Sequence, residues 1–302
     1  MSANGGAPAF SLRRLVKRFP GFTLGPIDLE LQPGVVLGLV GPNGSGKTTM
    51  LHCLAGLLVP DEGGAEVFGA PNLVDDAAWR RNIGVVGEEH GFYMHWTAAE
   101  NLQVVASFQP AFSHERARRM AERFALPLDR KVEELSHGNR AKLAIVAALA
   151  HAPRLLLLDE PTAGLDPVVR ADVLDVLWEL LEDGEHAIFY STHVLSDIAR
   201  LADELVFLSD GRVLQRSAKD DLVDAWRRIS FRIETGGDMS LPAIVEHRQV
   251  RQEHQVTSRD HEATLAALRS LGAESIEVAR LSIDEIAVEI LRAKGVDRVA
   301  AR

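Results

Sequence analysis

The chain has 302 residues, of which 46% are hydrophobic and 25% are charged, and its formal net charge is −10. This composition is typical of one large globular domain, or one domain plus a smaller one, and excludes a fully disordered chain. The acidic balance argues against a general nucleic-acid binder, which needs a basic surface. The single cysteine, Cys53, excludes an internal disulfide and is typical of a reducing compartment; we interpret it as a small buried hydrophobe.

The sequence shows no signal for crossing a membrane. Residues 1–10 lack the apolar stretch of a secretory signal. No segment reaches the roughly 18 consecutive apolar residues that a spanning helix needs. The longest apolar segment, Leu143 to Leu158, is interrupted by His151, Pro153 and Arg154. If the protein works at a membrane, we expect a separate polypeptide to supply the spans.

Apolar runs and helical patterns alternate along the first two thirds of the chain, beginning with short strands over 12–31 that turn at Pro20-Gly21. Further strands are predicted at 35–40, 83–86, 155–158, 187–190 and 205–208. Helices are predicted at 48–58, 98–125 with a break near Pro110, 136–150, 168–181 and 194–201. The four leucines at 155–158 are typical of a strand buried on both faces, as in a parallel sheet. The alternation therefore predicts an α/β fold.

The composition changes after about residue 218, which divides the chain into a predicted main domain, residues 10–217, and a smaller C-terminal appendage, residues 218–302. In the appendage, strands are predicted at 229–234, 255–258 and 275–278, and helices at 262–271 and 283–291. This order predicts a small α+β fold. No residues in the appendage form a recognisable catalytic pattern, so its role stays open between regulation or dimerisation and simple stabilisation.

A glycine-rich segment between a predicted strand and a predicted helix matches the pattern G-x-x-x-x-G-K-[ST]. Its residues are Gly41, Pro42, Asn43, Gly44, Ser45, Gly46, Lys47, Thr48 and Thr49. Glycines allow the backbone to curl so that several N–H groups point at phosphate oxygens, and the following helix N-terminus adds partial positive charge. Lys47 is expected to contact the β- and γ-phosphates of ATP, and the Thr48 hydroxyl is expected to bind Mg²⁺.

Two carboxylates, Asp159 and Glu160, follow the leucine strand directly. The end of a parallel strand is where ligands bind in such folds. We therefore expect Asp159 to hold Mg²⁺ and Glu160 to act as the general base for the water that attacks the γ-phosphate. An acidic pair after a strand can also simply cap the next helix, and this is the alternative interpretation.

With these two motifs in place, five more segments in the expected order resemble the ABC ATPase family over residues 10–215. They are the A-loop-like Lys17-Arg18-Phe19, the Q-loop-like segment 83–88, the signature-like Leu135-Ser136-His137-Gly138-Asn139, the D-loop-like segment 161–167 and the switch-histidine segment Ser191-Thr192-His193. The resemblance implies a P-loop NTPase core with a helical subdomain at about 89–150. It also implies that each chain binds ATP together with a second cassette.

The resemblance assigns roles to individual residues. His193 would sense the γ-phosphate and Asp166 would be the key D-loop residue. Phe19 would stack on adenine, although it could equally be a core aromatic, and a lone histidine is often purely structural. Across the dimer interface, the nucleotide of the opposite subunit would be contacted by Ser136, His137, Gly138 and Asn139.

The sequence departs from the family pattern at two positions. Glu88 stands where the Q-loop normally has glutamine; a carboxylate can still reach the metal, so we expect Glu88 to be a third metal-binding residue. His137 replaces the first glycine of the signature. Because Ser136 and Gly138 remain, we expect hydrolysis to survive.

The resemblance implies an ATPase that powers a transporter from the cytoplasmic face of the membrane. Its partners would be a multi-span permease and a second cassette, either another copy or a paralogue, with no nucleic acid. The wording of the signature and switch segments resembles ABC-2-type exporters of bacterial antibiotic-responsive transporters. The aromatic-rich segment 88–96 would receive the membrane subunit, or would pack internally. A soluble ABC ATPase acting on ribosomes or DNA, and an importer ATPase, are the alternatives.

Overall fold

The computed structural model describes residues 7–72, 78–87, 91–182, 184–233, 240–250 and 253–299. The chain divides into two compact units. The first contains residues 1–202 and 208–213, and the second contains residues 203–207 and 214–302. The predicted domain boundary at residue 217 stays a prediction.

The described residues up to position 149 form six strands and four helices, besides short 3₁₀ turns at Ala78–Asn82 and Val132–Glu134. In chain order they are β1 (Phe10–Phe19), β2 (Phe22–Leu31), β3 (Val36–Val40), α1 (Lys47–Leu54), β4 (Glu62–Val67), β5 (Ala70–Pro71), β6 (Ile83–Val86), α2 (Ala98–Phe108), α3 (His114–Arg123) and α4 (His137–Leu149).

The elements that follow complete the first unit and lead into the second. They are β7 (Leu155–Asp159), α5 (Pro167–Leu180), β8 (Ala187–Thr192), α6 (Leu195–Leu201), β9 (Glu204–Ser209) and β10 (Arg212–Ala218). The division between the two units falls within β9 and β10.

Four parallel strands of the first unit form the base of the site, in the order β3-β8-β7-β6. Val36 pairs with Ile188, Leu155 with Ala187, and Ile83 with Leu155. Every residue of β3, β7 and β8 is buried. These runs are apolar because a parallel strand is covered on both faces, so the prediction of an α/β fold is confirmed.

A second, antiparallel sheet has the order β2-β1-β4-β5. The predicted turn at Pro20-Gly21 joins β1 and β2, with Phe19 opposite Phe22. The strand β4 was not predicted, because its sequence begins with Glu62-Gly63-Gly64 and lacks apolar alternation. Its backbone instead pairs with β1 from Val16 to Phe10.

The helices of the predicted helical subdomain begin at side-chain caps. Thr97 and Glu100 form a capping box at the start of α2, and Ser113 accepts a hydrogen bond from Arg116 N at the start of α3. The predicted break near Pro110 lies between these two helices. The helix predicted at 48–58 ends earlier, at Leu54, since Gly56 takes a left-handed conformation with φ of +66°.

The second unit contains its own four-stranded antiparallel sheet. Its elements are α7 (Lys219–Ala225), β11 (Arg227–Arg232), β12 (Ile244–Val250), β13 (Glu253–Ser258), α8 (His261–Ser270), β14 (Glu274–Arg280) and α9 (Ile283–Val299), with strand order β12-β13-β11-β14. Ile229, Phe231, Val256 and Leu268 form its apolar core. The α+β prediction is confirmed, although α7 and β12 were not predicted.

No helix in the described part of the chain combines the length and apolar character that a membrane-spanning helix requires.

Candidate functional site

The glycine-rich segment turns sharply between β3 and α1 because two of its glycines take left-handed conformations. Gly44 has φ of +77°, and Gly46, the N-cap of α1, has φ of +107°. A Cβ at Gly46 would lie 2.9 Å from Leu24 Cδ1 and 3.0 Å from Phe22 Cζ. The positive φ is the stronger demand for glycine here, because the two side chains could shift to admit a Cβ but an L-residue rarely adopts this backbone conformation. The segment therefore has the backbone shape of a phosphate cradle at a helix N-terminus.

Lys47 is folded back onto its own loop. Its Nζ donates to Gly41 O at 2.9 Å and to Pro42 O at 3.4 Å, and lies 3.7 Å from Glu160 Oε1. The residue is only 6% exposed. A buried ammonium group needs such partners, and carbonyl oxygens are weaker partners than phosphate oxygens. Lys47 is thus placed to exchange these contacts for phosphate.

Two hydroxyls complete the cradle. Ser45 Oγ is buried without a hydrogen-bond partner among the described residues, and a Cβ on Gly41 would lie 2.7 Å from it. Thr48, in the first turn of α1, is exposed. An unsatisfied buried hydroxyl is uncommon in folded proteins. Both hydroxyls are available to a bound ligand.

Asp159 ends β7 with one satisfied and one unsatisfied carboxylate oxygen. Ser191 Oγ donates to Oδ1, whereas Oδ2 is buried with no hydrogen-bond partner in the described part of the chain. A hard cation such as Mg²⁺ binds carboxylate and hydroxyl oxygens. Asp159 and Thr48 therefore fit Mg²⁺. Glu88, the third predicted metal-binding residue, lies outside the described residues.

Glu160 follows in a strained backbone conformation, with φ of +51°. Its N–H donates to Ser191 O at 2.9 Å, which ties it to β8. Its Oε2 accepts from His193 N at 3.2 Å and lies 2.8 Å from His193 Nδ1. A non-glycine residue in this region costs about 1–3 kcal/mol and such residues cluster at functional sites. In this conformation the carboxylate lies between Lys47 and His193.

A buried polar network, which the sequence did not reveal, supports the loop after Glu160. Thr162 Oγ1 donates to Asp197 and lies 3.0 Å from Tyr190 OH, and the Arg170 guanidinium pairs with the same Asp197. Burial is the main cause of a raised pKa of the Tyr190 hydroxyl. The network holds the loop to β8 and α6. Its members are spread from residue 162 to 197, and no motif links them in sequence.

The predicted signature segment forms the start of α4, and its side chain at His137 contacts the predicted D-loop. Ser136 is the N-cap and accepts from Asn139 N at 3.2 Å. His137 Nε2 lies 3.0 Å from Ala163 O. Asp166 caps α5, accepting from the N–H groups of residues 168 and 169. Capping accounts for Ser136 and Asp166 structurally, and their roles towards ATP stay predictions.

Phe19 stacks on Phe22, and Phe22 in turn lies next to Gly46 of the cradle. Its ring centroid is 6.5 Å from that of Phe22, and Phe22 is the residue that closes on Gly46. Phe19 is 42% exposed, so it is not a core aromatic. An exposed ring next to the cradle can stack on a base, which stays a prediction. Phe22 was missed, because it lies outside the A-loop-like segment.

The structure thus gathers Lys47, Asp159, Glu160 and His193 at the carboxyl ends of β3, β7 and β8. Lys47, the adjacent pair Asp159-Glu160 and His193 are far apart in sequence. Parallel strands bring their carboxyl ends to one edge of the sheet, where such folds bind ligands.

The chain is similar to known proteins. Residues 24–163 match the family described as ABC transporter. NatA of Bacillus subtilis (strain 168), an ABC transporter ATP-binding protein, is 34% identical over 207 residues, covering 67% of this chain and 84% of NatA. This chain belongs to the ABC transporter ATP-binding proteins. It is an ATP-binding ATPase of that family.

Other relatives are named for different kinds of transport. The molybdenum import protein ModC of Thiobacillus denitrificans is 37% identical over 248 residues, which cover 76% of this chain and 65% of ModC. The probable multidrug ABC transporter protein YbhF of Escherichia coli is 33% identical over 229 residues, which cover 73% of this chain and 39% of YbhF. The transport direction therefore does not follow from similarity alone.

Solved structures of the family share the fold. One, described as the ATP binding subunit of an ABC transporter, has a TM-score of 0.65 and 26% identity, covering 72% of this chain and 92% of that chain. The cassette MJ0796, described as a dimer in a post-hydrolysis state bound to ADP and Pi, has a TM-score of 0.63 and 26% identity, with coverage of 69% and 98%. The prediction of an ABC ATPase core is confirmed.

Proposed function

We propose that this chain powers a membrane transporter, as the ATP-hydrolysing member of an assembly in which two cassettes pair around ATP. The observation that carries the proposal is the convergence of Lys47 and His193 on Glu160. A cation for phosphate, a carboxylate base and a histidine on the other side of that base are the groups that γ-phosphate hydrolysis needs.

In the proposed mechanism, ATP binds in the cradle. The Lys47 ammonium group then contacts the phosphates in place of Gly41 O, Pro42 O and Glu160. Mg²⁺, held by Thr48 and Asp159, would neutralise phosphate charge, and Glu88 is the proposed further metal-binding residue. Once released from Lys47, Glu160 would orient the attacking water and accept its proton, while His193 holds the other carboxylate oxygen. The main role of the protein is positioning and electrostatic stabilisation.

The site is proposed to be completed by a second cassette. Ser136, Gly138 and Asn139 form a helix N-terminus, which suits anionic phosphate, and the hydrogen bond described for Ser136 is to Asn139 of the same segment. The dimeric MJ0796 cassette supports this arrangement by similarity. The second cassette is another copy of this chain or a paralogue.

The membrane partner is proposed to bind the exposed aromatic loop before α2. The rings of Tyr93 and Trp96 stack at 4.8 Å and are 56% and 45% exposed. The buried Asn101 side chain fixes this loop through hydrogen bonds to Tyr93 N and O. Exposed aromatic rings on a fixed backbone are typical of a docking surface. This supports a peripheral position at the cytoplasmic face of the membrane, against a multi-span permease.

We propose residues 10–217 as the cassette, with a helical subdomain at about 89–150, and residues 218–302 as an appendage. Export is the proposed direction, supported by the resemblance of the signature and switch segments to those of ABC-2-type exporters. The similarity to ModC keeps import as the second candidate.

A complementation assay tests the shared site. Lys47→Ala disables the cradle and Ser136→Ala disables the signature, and each pure variant is expected to hydrolyse little ATP. A mixture of the two is expected to recover activity, because a mixed pair contains one intact cradle facing one intact signature. ATP turnover is measured for each variant and for the mixture.

Ser136→Ala also removes a helix N-cap, which costs about 1 kcal/mol of stability. Ser113→Ala, which removes the equivalent cap of α3, is the matched control and should keep its activity. Full activity of pure Ser136→Ala would contradict the shared site, as would a mixture no more active than its components.

A further inference from the structure

The side chain of His137 connects the start of α4 to the loop that follows Glu160. Its Nε2 lies 3.0 Å from Ala163 O, and a Cβ placed on Gly164 would be 3.4 Å from the same nitrogen. The ring therefore lies against Gly164, whose φ is +69°. The imidazole is thus hydrogen-bonded to Ala163 and lies close to Gly164, the next residue of the same short loop.

Ala163, the residue that His137 contacts, is hydrogen-bonded to Glu160. Ala163 N donates to Glu160 O at 3.1 Å, and Leu165 N donates to Thr162 O at 3.3 Å. The loop is a short turn whose carbonyl at Ala163 points out to His137 and whose N–H points back to Glu160. Movement of Ala163 would therefore displace the backbone of a residue that is already strained.

The other contacts that hold the loop are with β8, with Asp197 and with α5. Glu160 N is bonded to β8, Thr162 is bonded to Asp197, and Asp166 caps α5. The hydrogen bond between His137 and Ala163, in contrast, links the loop to the signature segment. The signature of α4 and the carboxylate loop are thus tied together within one chain.

A second contact joins the same two elements. A Cβ on Gly138 would lie 3.3 Å from Val169 Cγ2, so the backbone of α4 packs closely on the first turn of α5. A glycine at position 137 would lack the side chain that makes the bond to Ala163. The histidine therefore adds a directional link to a contact that is otherwise only steric.

We propose that His137 is a positioning residue, which holds the loop after Glu160 in its working geometry from within the same chain. This inference rests on the proposed function for its effect on hydrolysis. It differs from the role implied by family resemblance, in which position 137 faces the nucleotide of the opposite subunit. Through His137, the segment that receives the partner's ATP also holds the chain's own catalytic loop.

Hydrogen exchange of the nucleotide-free chain tests the link without the opposite subunit's ATP. His137→Ala removes the donor and is expected to speed exchange over residues 160–166 by roughly two- to tenfold, the range for loss of one neutral hydrogen bond. His137→Gln keeps an N–H donor on a side chain of comparable reach, so it is expected to restore slow exchange. The matched control is His114→Ala, since His114 also follows a serine N-cap, at the start of α3.

ATP turnover of the same proteins tests the consequence. His137→Ala is expected to lower kcat by roughly two- to tenfold with little change in KM for ATP, and His137→Gln is expected to recover it. His114→Ala should change neither exchange over 160–166 nor kcat.

Unchanged exchange over residues 160–166 in His137→Ala would overturn the proposal. So would a glutamine variant that restores slow exchange but not kcat, because this pattern indicates a direct nucleotide contact. If the unaltered chain failed to hydrolyse ATP, the proposed function would fail, whereas the exchange experiment would still decide whether His137 holds the loop.

Discussion

Replacing Lys47 with alanine is expected to remove nearly all measurable ATP affinity. The ammonium group is buried between Gly41 O, Pro42 O and Glu160 Oε1, so it is positioned before the nucleotide arrives. Truncating one partner of a buried charged contact costs about 2–5 kcal/mol. This corresponds to roughly 30-fold to 4000-fold weaker binding. Isothermal titration of the purified chain with ATP and Mg²⁺ measures the effect.

The loss of Lys47 also leaves Glu160 without its cation, which adds repulsion towards the γ-phosphate. Lys131→Ala is the matched control, because it removes the same charge from a lysine that is half exposed and paired only weakly, at 4.0 Å from Glu133. That variant should bind ATP as the unaltered chain does. Equal ATP affinity in Lys47→Ala would show that the cradle assignment is wrong.

Replacing Glu160 with glutamine is expected to abolish most hydrolysis while ATP binding persists. Glutamine has nearly the same size and can still contact His193, but it cannot accept a proton from water. General-base catalysis contributes roughly 10²–10⁴-fold to rate, and turnover should fall by about that factor. Because bound ATP is then not consumed, the paired state should accumulate. Light scattering with ATP and Mg²⁺ should report a mass near twice that of one chain.

The glutamine also removes the ion pair with Lys47, so ATP affinity should stay equal or rise. Glu115→Gln provides the matched control, since Glu115 pairs with Arg119 on the exposed face of α3 and lies outside the site. It should turn over ATP normally and show no trapped dimer. A Glu160→Gln chain that binds ATP yet stays monomeric would contradict the shared site, or would indicate that the natural partner is a paralogue.

Local sequence patterns predicted the parts of the fold that local physics determines. The leucines of β7 are apolar because both faces of the strand are covered, and the pattern shows this directly. Ser136 was predicted as the first residue of the helix at 136–150, and it serves as the N-cap of α4. The cradle was predictable for the same reason, since its conformation depends on glycines at fixed spacing.

Contacts between distant residues could not be predicted. Thr162, Tyr190 and Asp197 form one buried network, yet each is unremarkable in its own segment. Likewise, the sequence presents His137 only as a departure from a motif, whereas the structure shows it bonded to Ala163. Such pairs become visible only when the fold places β7, β8 and α4 side by side. The strands β4 and β12 were missed because strand pairing stabilises segments with weak apolar patterns of their own.

We propose that this ATPase drives a separate membrane-spanning partner. The most direct test is an affinity capture of tagged Glu160→Gln from detergent-solubilised membranes of its native cells, with ATP and Mg²⁺ present and Lys47→Ala as the control. A multi-span polypeptide should be recovered in stoichiometric amount, and its recovery should depend on the trapped, ATP-bound state. Recovery of ribosomes or DNA-associated proteins, with no membrane polypeptide, would contradict the claim and favour a soluble ABC ATPase.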